Sequence, residues 1–82
     1  MNAQRRKAIE QAKTIVDDAK SKLGDAVTAL QEVRDEEQES HDNLPESMQE
    51  SEKGETMEEN INYLESAIDS LDSAIGELDS IQ

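Results

Sequence analysis

Cysteine is absent from this chain. Its absence removes disulfides, thiol catalysis and thiolate metal ligation together. Tyr63 is the only aromatic residue, and there is one histidine, so stacking platforms and general acid–base chemistry near neutral pH have almost nothing to draw on. The three glycines, at 24, 54 and 76, are isolated and make no phosphate-cradling loop. No uninterrupted apolar run exceeds two residues, so neither a signal peptide nor a membrane span is expected, and a cytoplasmic location follows. No HExxH, EF-hand or Walker pattern occurs. The expectation is a protein that is not an enzyme and carries no cofactor or metal.

What is present is helical periodicity and acid. Eighty-two residues allow one thin domain, in which six Ile, six Leu, three Val and three Met supply the large apolar side chains. A scaffold this small usually needs a staple, and without cysteine or metal the remaining one is self-association. The net charge is −13, unevenly spread. The basic residues Arg5, Arg6, Lys7, Lys13, Lys20, Lys22 and Arg34 fall in the first 34 positions, and after Arg34 only Lys53 offsets the acids. Such a field repels phosphate backbones and attracts basic protein surfaces, so direct nucleic-acid binding is excluded as a function, as is a membrane partner.

Two seams organise the chain. Ile9, Val16, Leu23 and Leu30 recur at heptad position a, with Ala12, Ala19, Ala26 and Val33 at d. The small d residues predict close approach of a neighbouring helix. Ile15 and Val27 widen this seam, and its next sites, Glu37 and Ser40, turn polar. The second seam sets Ile61, Ile68 and Ile75 at a, with Met57, Leu64, Leu71 and Leu78 at d. Thr56-Met57-Glu58-Glu59 fits a capping box that would start this helix. Between the seams Pro45 interrupts the first helix, Asn43 can cap, one turn follows from Pro45 to Gln49, and Gly54 reads as a helix stop. The resulting fold class is all-α: a helical hairpin of two long amphipathic helices (about 4–41 and 56–81) joined by a structured elbow (about 42–55). It is expected to self-associate into a helical bundle, as a homo-oligomer.

The polar stretch from Arg34 to Gly54 is the candidate binding surface. Arg34, Glu37, His41, Asn43, Gln49 and Ser51 supply donors and acceptors, and Leu44, Pro45 and Met48 supply apolar anchors. Asn43, Gln49 and Ser51 are expected to be solvent-accessible. Glu37 and His41, four apart, make half of a metal site and are read as a solvated or hydrogen-bonded pair. The di-iron bundle motif needs Glu and His three apart, where this chain has Gln38.

The runs Arg34-Asp35-Glu36-Glu37-Gln38-Glu39, Asp42-Asn43-Leu44-Pro45-Glu46-Ser47-Met48-Gln49 and Ser51-Glu52-Lys53-Gly54-Glu55 resemble the core of a group of small acidic bacteriophage and prophage proteins. Where that group carries an aromatic before Asp42, this chain has His41. The resemblance implies a phage setting, in which short non-catalytic proteins act by stoichiometric capture of host factors. The function expected is counter-defence or host takeover, by sequestering a nucleotide-type immune signal or a host protein through residues 34–54. Two alternatives stand beside it. One is an acidic DNA mimic that inhibits a host DNA-binding protein through Glu65, Asp69, Asp72 and Asp79. The other is a structural coiled-coil module.

Overall fold

Asn2 begins the first helix. Its side-chain oxygen accepts the Arg5 N–H at 2.8 Å and its carbonyl accepts the Arg6 N–H at 3.1 Å, satisfying donors that a helix start leaves free. The computed structural model describes residues 2–81. From this cap α1 runs unbroken through Ala3–Asp42, with Gly24 inside it at tolerable cost. Pro45 holds Leu44 away from helical dihedrals, and α1 closes on Asn43 N–H to the Glu39 carbonyl (3.0 Å) and Leu44 N–H to the His41 carbonyl (3.1 Å). A single turn, α2 (Glu46–Gln49), leads into α3 (Glu52–Asp79). All three elements are helical, and the molecule measures 66 × 16 × 14 Å. No helix among the described residues is long and apolar enough to cross a membrane.

The start of α3 differs from the sequence expectation. Ser51, not Thr56, is the cap: its Oγ accepts the Gly54 N–H at 3.5 Å and donates to the Met48 carbonyl. Thr56 lies within the helix, and Gly54 is a buried residue of its first turn rather than a stop. The capping box favoured Thr56 because Glu59 follows it at the right spacing. Ser51 prevails because it bonds both to the helix it starts and to the turn before it.

α1 and α3 pack antiparallel. Lys20 Nζ lies 2.6 Å from Asp79 Oδ1, and His41 Nε2 lies 3.1 Å from Glu58 Oε1. Lys20 and His41 are three heptads apart, as are Glu58 and Asp79, so the two helices stay in step over that length. On α3 the contact follows the expected seam. Ile61 and Ile68 are buried, Ile68 only 4% exposed, and Leu64, Leu71 and Leu78 are half-buried.

On α1 the expected seam is half right. The a sites Leu23 and Leu30 face inward, half-buried, but their companions are Lys20, Val27, Arg34 and His41, not the alanines. Val27 and His41 are buried, whereas Ala12 and Ser40 are exposed, Ala19 and Ala26 half-buried, and Val33 is 47% exposed. Ile15 is 72% exposed. The 4-3 spacing can be read on either side of the a sites, and electrostatics selects the side. Only there can Lys20 meet Asp79, one of the acids that α3 carries beside its own seam.

Beyond Lys20 the pairing stops. The stretch of α1 before it, about 25 Å at 1.5 Å per residue, extends past the end of α3 and carries Ile9, Ala12, Ile15 and Val16.

Candidate functional site

The elbow is built around a close approach. A Cβ placed on Gly54 would lie 2.8 Å from the Gln49 Cα and nearer still to its carbonyl. Only glycine lets α2 cross this tightly over the first turn of α3. Gln49 then turns inward, and its amide Nε2 donates to the Leu44 carbonyl at 3.1 Å. The Ser51 hydroxyl closes the other side of the turn on Met48. Leu44, Gln49 and Ser51 are half-buried. Gln49 and Ser51 are therefore parts of the elbow's own framework, not the free donors and acceptors expected of them. Asn43, Pro45 and Met48 do face outward, Met48 being 40% exposed.

The α1 members of the predicted set share the helix-pairing stripe. Arg34, Glu37 and His41 follow one another at three and four residues, so they occupy one face beside α3. Arg34 is already engaged: its guanidinium lies 3.2 Å from the Asp35 carboxylate through both Nε and Nη2. Glu37 is half-buried and does not pair with His41.

His41 is not the solvated residue expected. It is 8% exposed, and neither ring nitrogen makes a hydrogen bond. Glu58 Oε1 stands 3.1 Å from Nε2 and Asp42 Oδ1 stands 3.6 Å from Nδ1, close without being aligned as hydrogen bonds. A buried polar group in this condition costs about 1–3 kcal/mol. The ring borders a groove of about 250 Å³ lined by Gln38, Glu58, Ile61 and Asn62. Gln38 is held by its amide to Asp42 at 3.0 Å.

Gln38, Glu58 and Asn62 were not among the residues singled out from the sequence. A signal for Glu58 was present: it opens the heptad-spaced acid series Glu58, Glu65, Asp72, Asp79. A broader depression of about 630 Å³ lies on the α3 surface, lined by residues of that helix alone, among them Glu65, Asp69 and Glu77. It is a polar helix face and not an enclosing site. No cluster of three or more His, Asp or Glu among the described residues is arranged to hold a metal ion.

The elbow end thus combines an ordered tip, a shielded imidazole without hydrogen bonds and a surplus of carboxylates. It offers donors, acceptors and one soft apolar contact, with no nucleophile beside a base. Comparison with family models, with curated proteins and with solved structures finds no match to this chain.

Proposed function

We propose that the chain is a non-enzymatic binding protein that captures a host protein through its elbow end, as a counter-defence or host-takeover factor. The observation that carries this reading is the tip itself: Met48, Pro45 and Asn43 face outward on a turn fixed by the Gly54 crossing and the Gln49 and Ser51 hydrogen bonds. A preorganised tip loses little conformational freedom on binding, and an exposed methionine adapts to varied apolar partners.

Charge favours a protein over a nucleotide-type signal. Arg34 is occupied by Asp35, and the elbow adds Glu46, Glu50, Glu52 and Glu55 against Lys53 alone. A phosphorylated ligand would meet a repulsive field, and a basic protein surface an attractive one. The phage setting rests on the likeness of the run from Arg34 to Glu55 to small acidic phage proteins. Self-association into a helical bundle belongs to the same reading, because Leu64, Leu71 and Leu78 stay half-exposed in the single hairpin.

The exposed carboxylates of Glu65, Asp69 and Asp72 support a second reading, DNA mimicry. One experiment separates the two. Wild type, Met48→Ala with Asn43→Ala, and Glu65→Gln with Asp69→Asn and Asp72→Asn are each immobilised in host lysate, and retained proteins are quantified by mass spectrometry beside thermal melts. The elbow reading expects the elbow variant to melt within a few degrees of wild type and to lose the retained protein at least tenfold. Retention by that variant and loss by the amide variant would transfer the function to the α3 face.

A further inference from the structure

Resting on the self-association proposed above, we infer that the partner is a second copy docked antiparallel, so that the α1 overhang of each copy fills the groove between α1 and α3 of the other. The hairpin has two unlike sides. One carries the Lys20–Asp79 ion pair and the approach of His41 to Glu58. The other carries Ala8, Ala12, Ile15, Ala19, Ala26 and Val33, a second stripe whose 4-3 spacing is interrupted by the exposed Lys22 and in which Ile15 is 72% and Val33 47% exposed. Each member precedes by one residue a position of the α3-facing stripe or of its continuation into the overhang, so it lies about 100° round the helix. That is the disposition of a helix with two neighbours, and only one is present. On α3 the half-buried Leu64, Leu71 and Leu78, with Ala67 and Ala74, lie on this same side, away from Glu58 and Asp79.

Side-chain size points to a second copy as the occupant. Set antiparallel so that Ile15 meets Ala26 of the second copy, the register also brings Val33 to Ala8 and Ala12 to Ala29. Ile15 and Val33 each then meet an alanine, Ala12 meets Ala29 and Ala19 meets the stem of Lys22, and the alanines permit close approach. The same register lays Ile9 and Val16 of one overhang level with Ala67 and Ala74 of the second copy, and Ala12 and Ala19 within one residue of Leu71 and Leu78. Length agrees: the overhang spans about 25 Å and the α3 groove from Leu64 to Leu78 about 21 Å. Along the length where the two copies of α1 overlap, three helices then pack together, those two and one α3.

Charge decides the direction. Antiparallel docking brings Arg5 and Arg6 beside Asp35 and Glu36 of the second copy, whereas parallel docking stacks Arg5, Arg6 and Lys7 on themselves and Lys22 on Lys22. Like charges held face to face oppose the parallel arrangement.

The natural absence of cysteine makes the test direct. In the double variant Ala12→Cys with Ala29→Cys the two thiols are about 25 Å apart on one rigid helix and cannot join within a copy. Sedimentation equilibrium of wild type should give twice the 9.1 kDa chain mass. Mild oxidation of the variant should give a covalent dimer whose bridged peptides join position 12 to position 29. Bridges joining 12 to 12 and 29 to 29, or a wild-type dimer whose variant forms no bridge, overturn the antiparallel docking and leave self-association standing. A wild-type monomer at all concentrations overturns both.

Discussion

The two sides of the hairpin are built to the same spacing and do different work. On one side the heptad-spaced Lys20, Arg34 and His41 of α1 run beside heptad-spaced acids of α3 (Glu58, Glu65, Asp79). On the other, Ile15, Val33 and Ala12 are exposed, and Leu64, Leu71 and Leu78 of α3 are only half-buried. The charged side contributes little net stability, because exposed ion pairs are screened and lose side-chain entropy. What it supplies is register and choice of face. Stability comes from the narrow strip between the sides, where Val27, Ile61 and Ile68 are buried.

The largest expected effect tests that strip against the uncovered side. Ile68→Ala should cost about 2–5 kcal/mol and leave little folded protein, as read by circular dichroism in urea. Ile15→Ala should leave the helicity of the single hairpin unchanged and weaken only its concentration-dependent assembly. Equal loss of helicity from both would abolish the distinction between a buried strip and a docking side.

Next comes the elbow, which fixes how the two sides are presented. Gly54→Ala forces the new methyl into the Gln49 backbone, and overpacking of this kind costs about 1–3 kcal/mol. A melt matching wild type would mean that α2 does not press on α3.

His41 is the place where the charged side intrudes on the buried strip, and its sign is opposite. His41→Leu removes two ring nitrogens that lack hydrogen bonds and should raise stability by about 1 kcal/mol or slightly more. If the same variant loses capture of its partner, the imidazole is kept for binding at a cost in stability. A destabilised His41→Leu would show that Glu58 contributes more to the fold than its geometry implies.

The smallest effect lies at Lys20. The Asp79 carboxylate bonded to it, and then Asp17, raise its pKa above the ordinary lysine value of 10.5 against partial desolvation. A folded value above the unfolded one means the contribution is whole below the ordinary value and is lost as pH rises through the raised one. Wild type and Lys20→Met should therefore differ slightly in melting temperature at neutral pH and converge in strong alkali. A difference that grows with pH would reverse the assignment.

Much of the fold is legible in the sequence, for a physical reason that varies along the chain. The α3 seam could be read because Ile and Leu fill every site from Ile61 to Leu78, and branched aliphatics carry a strong burial signal. The α1 seam could not be assigned to a side. Alanine is nearly indifferent to burial, and Lys20 and Arg34 can bury their stems while keeping charged ends wet. The elbow's existence followed from Pro45, but its working parts did not. Ser51 lacks a Glu or Gln three residues on, and Gly54 looks the same in sequence whether it ends a helix or admits a neighbour. Of the three side chains expected to be solvent-accessible, only Asn43 is exposed. Gln49 and Ser51 proved structural, and Glu58 and Asn62 came into view only when α3 was laid beside His41.

Local chemistry within one helix determined where helices form and which residues can be apolar contacts, because periodicity, caps and proline act over a few residues. Which of two equivalent faces meets the other helix, and which residue shares a groove with His41, depends on pairs 17 to 59 positions apart, from His41–Glu58 to Lys20–Asp79. Those pairings are set by the competition of whole faces for one partner, and tertiary packing alone decided them.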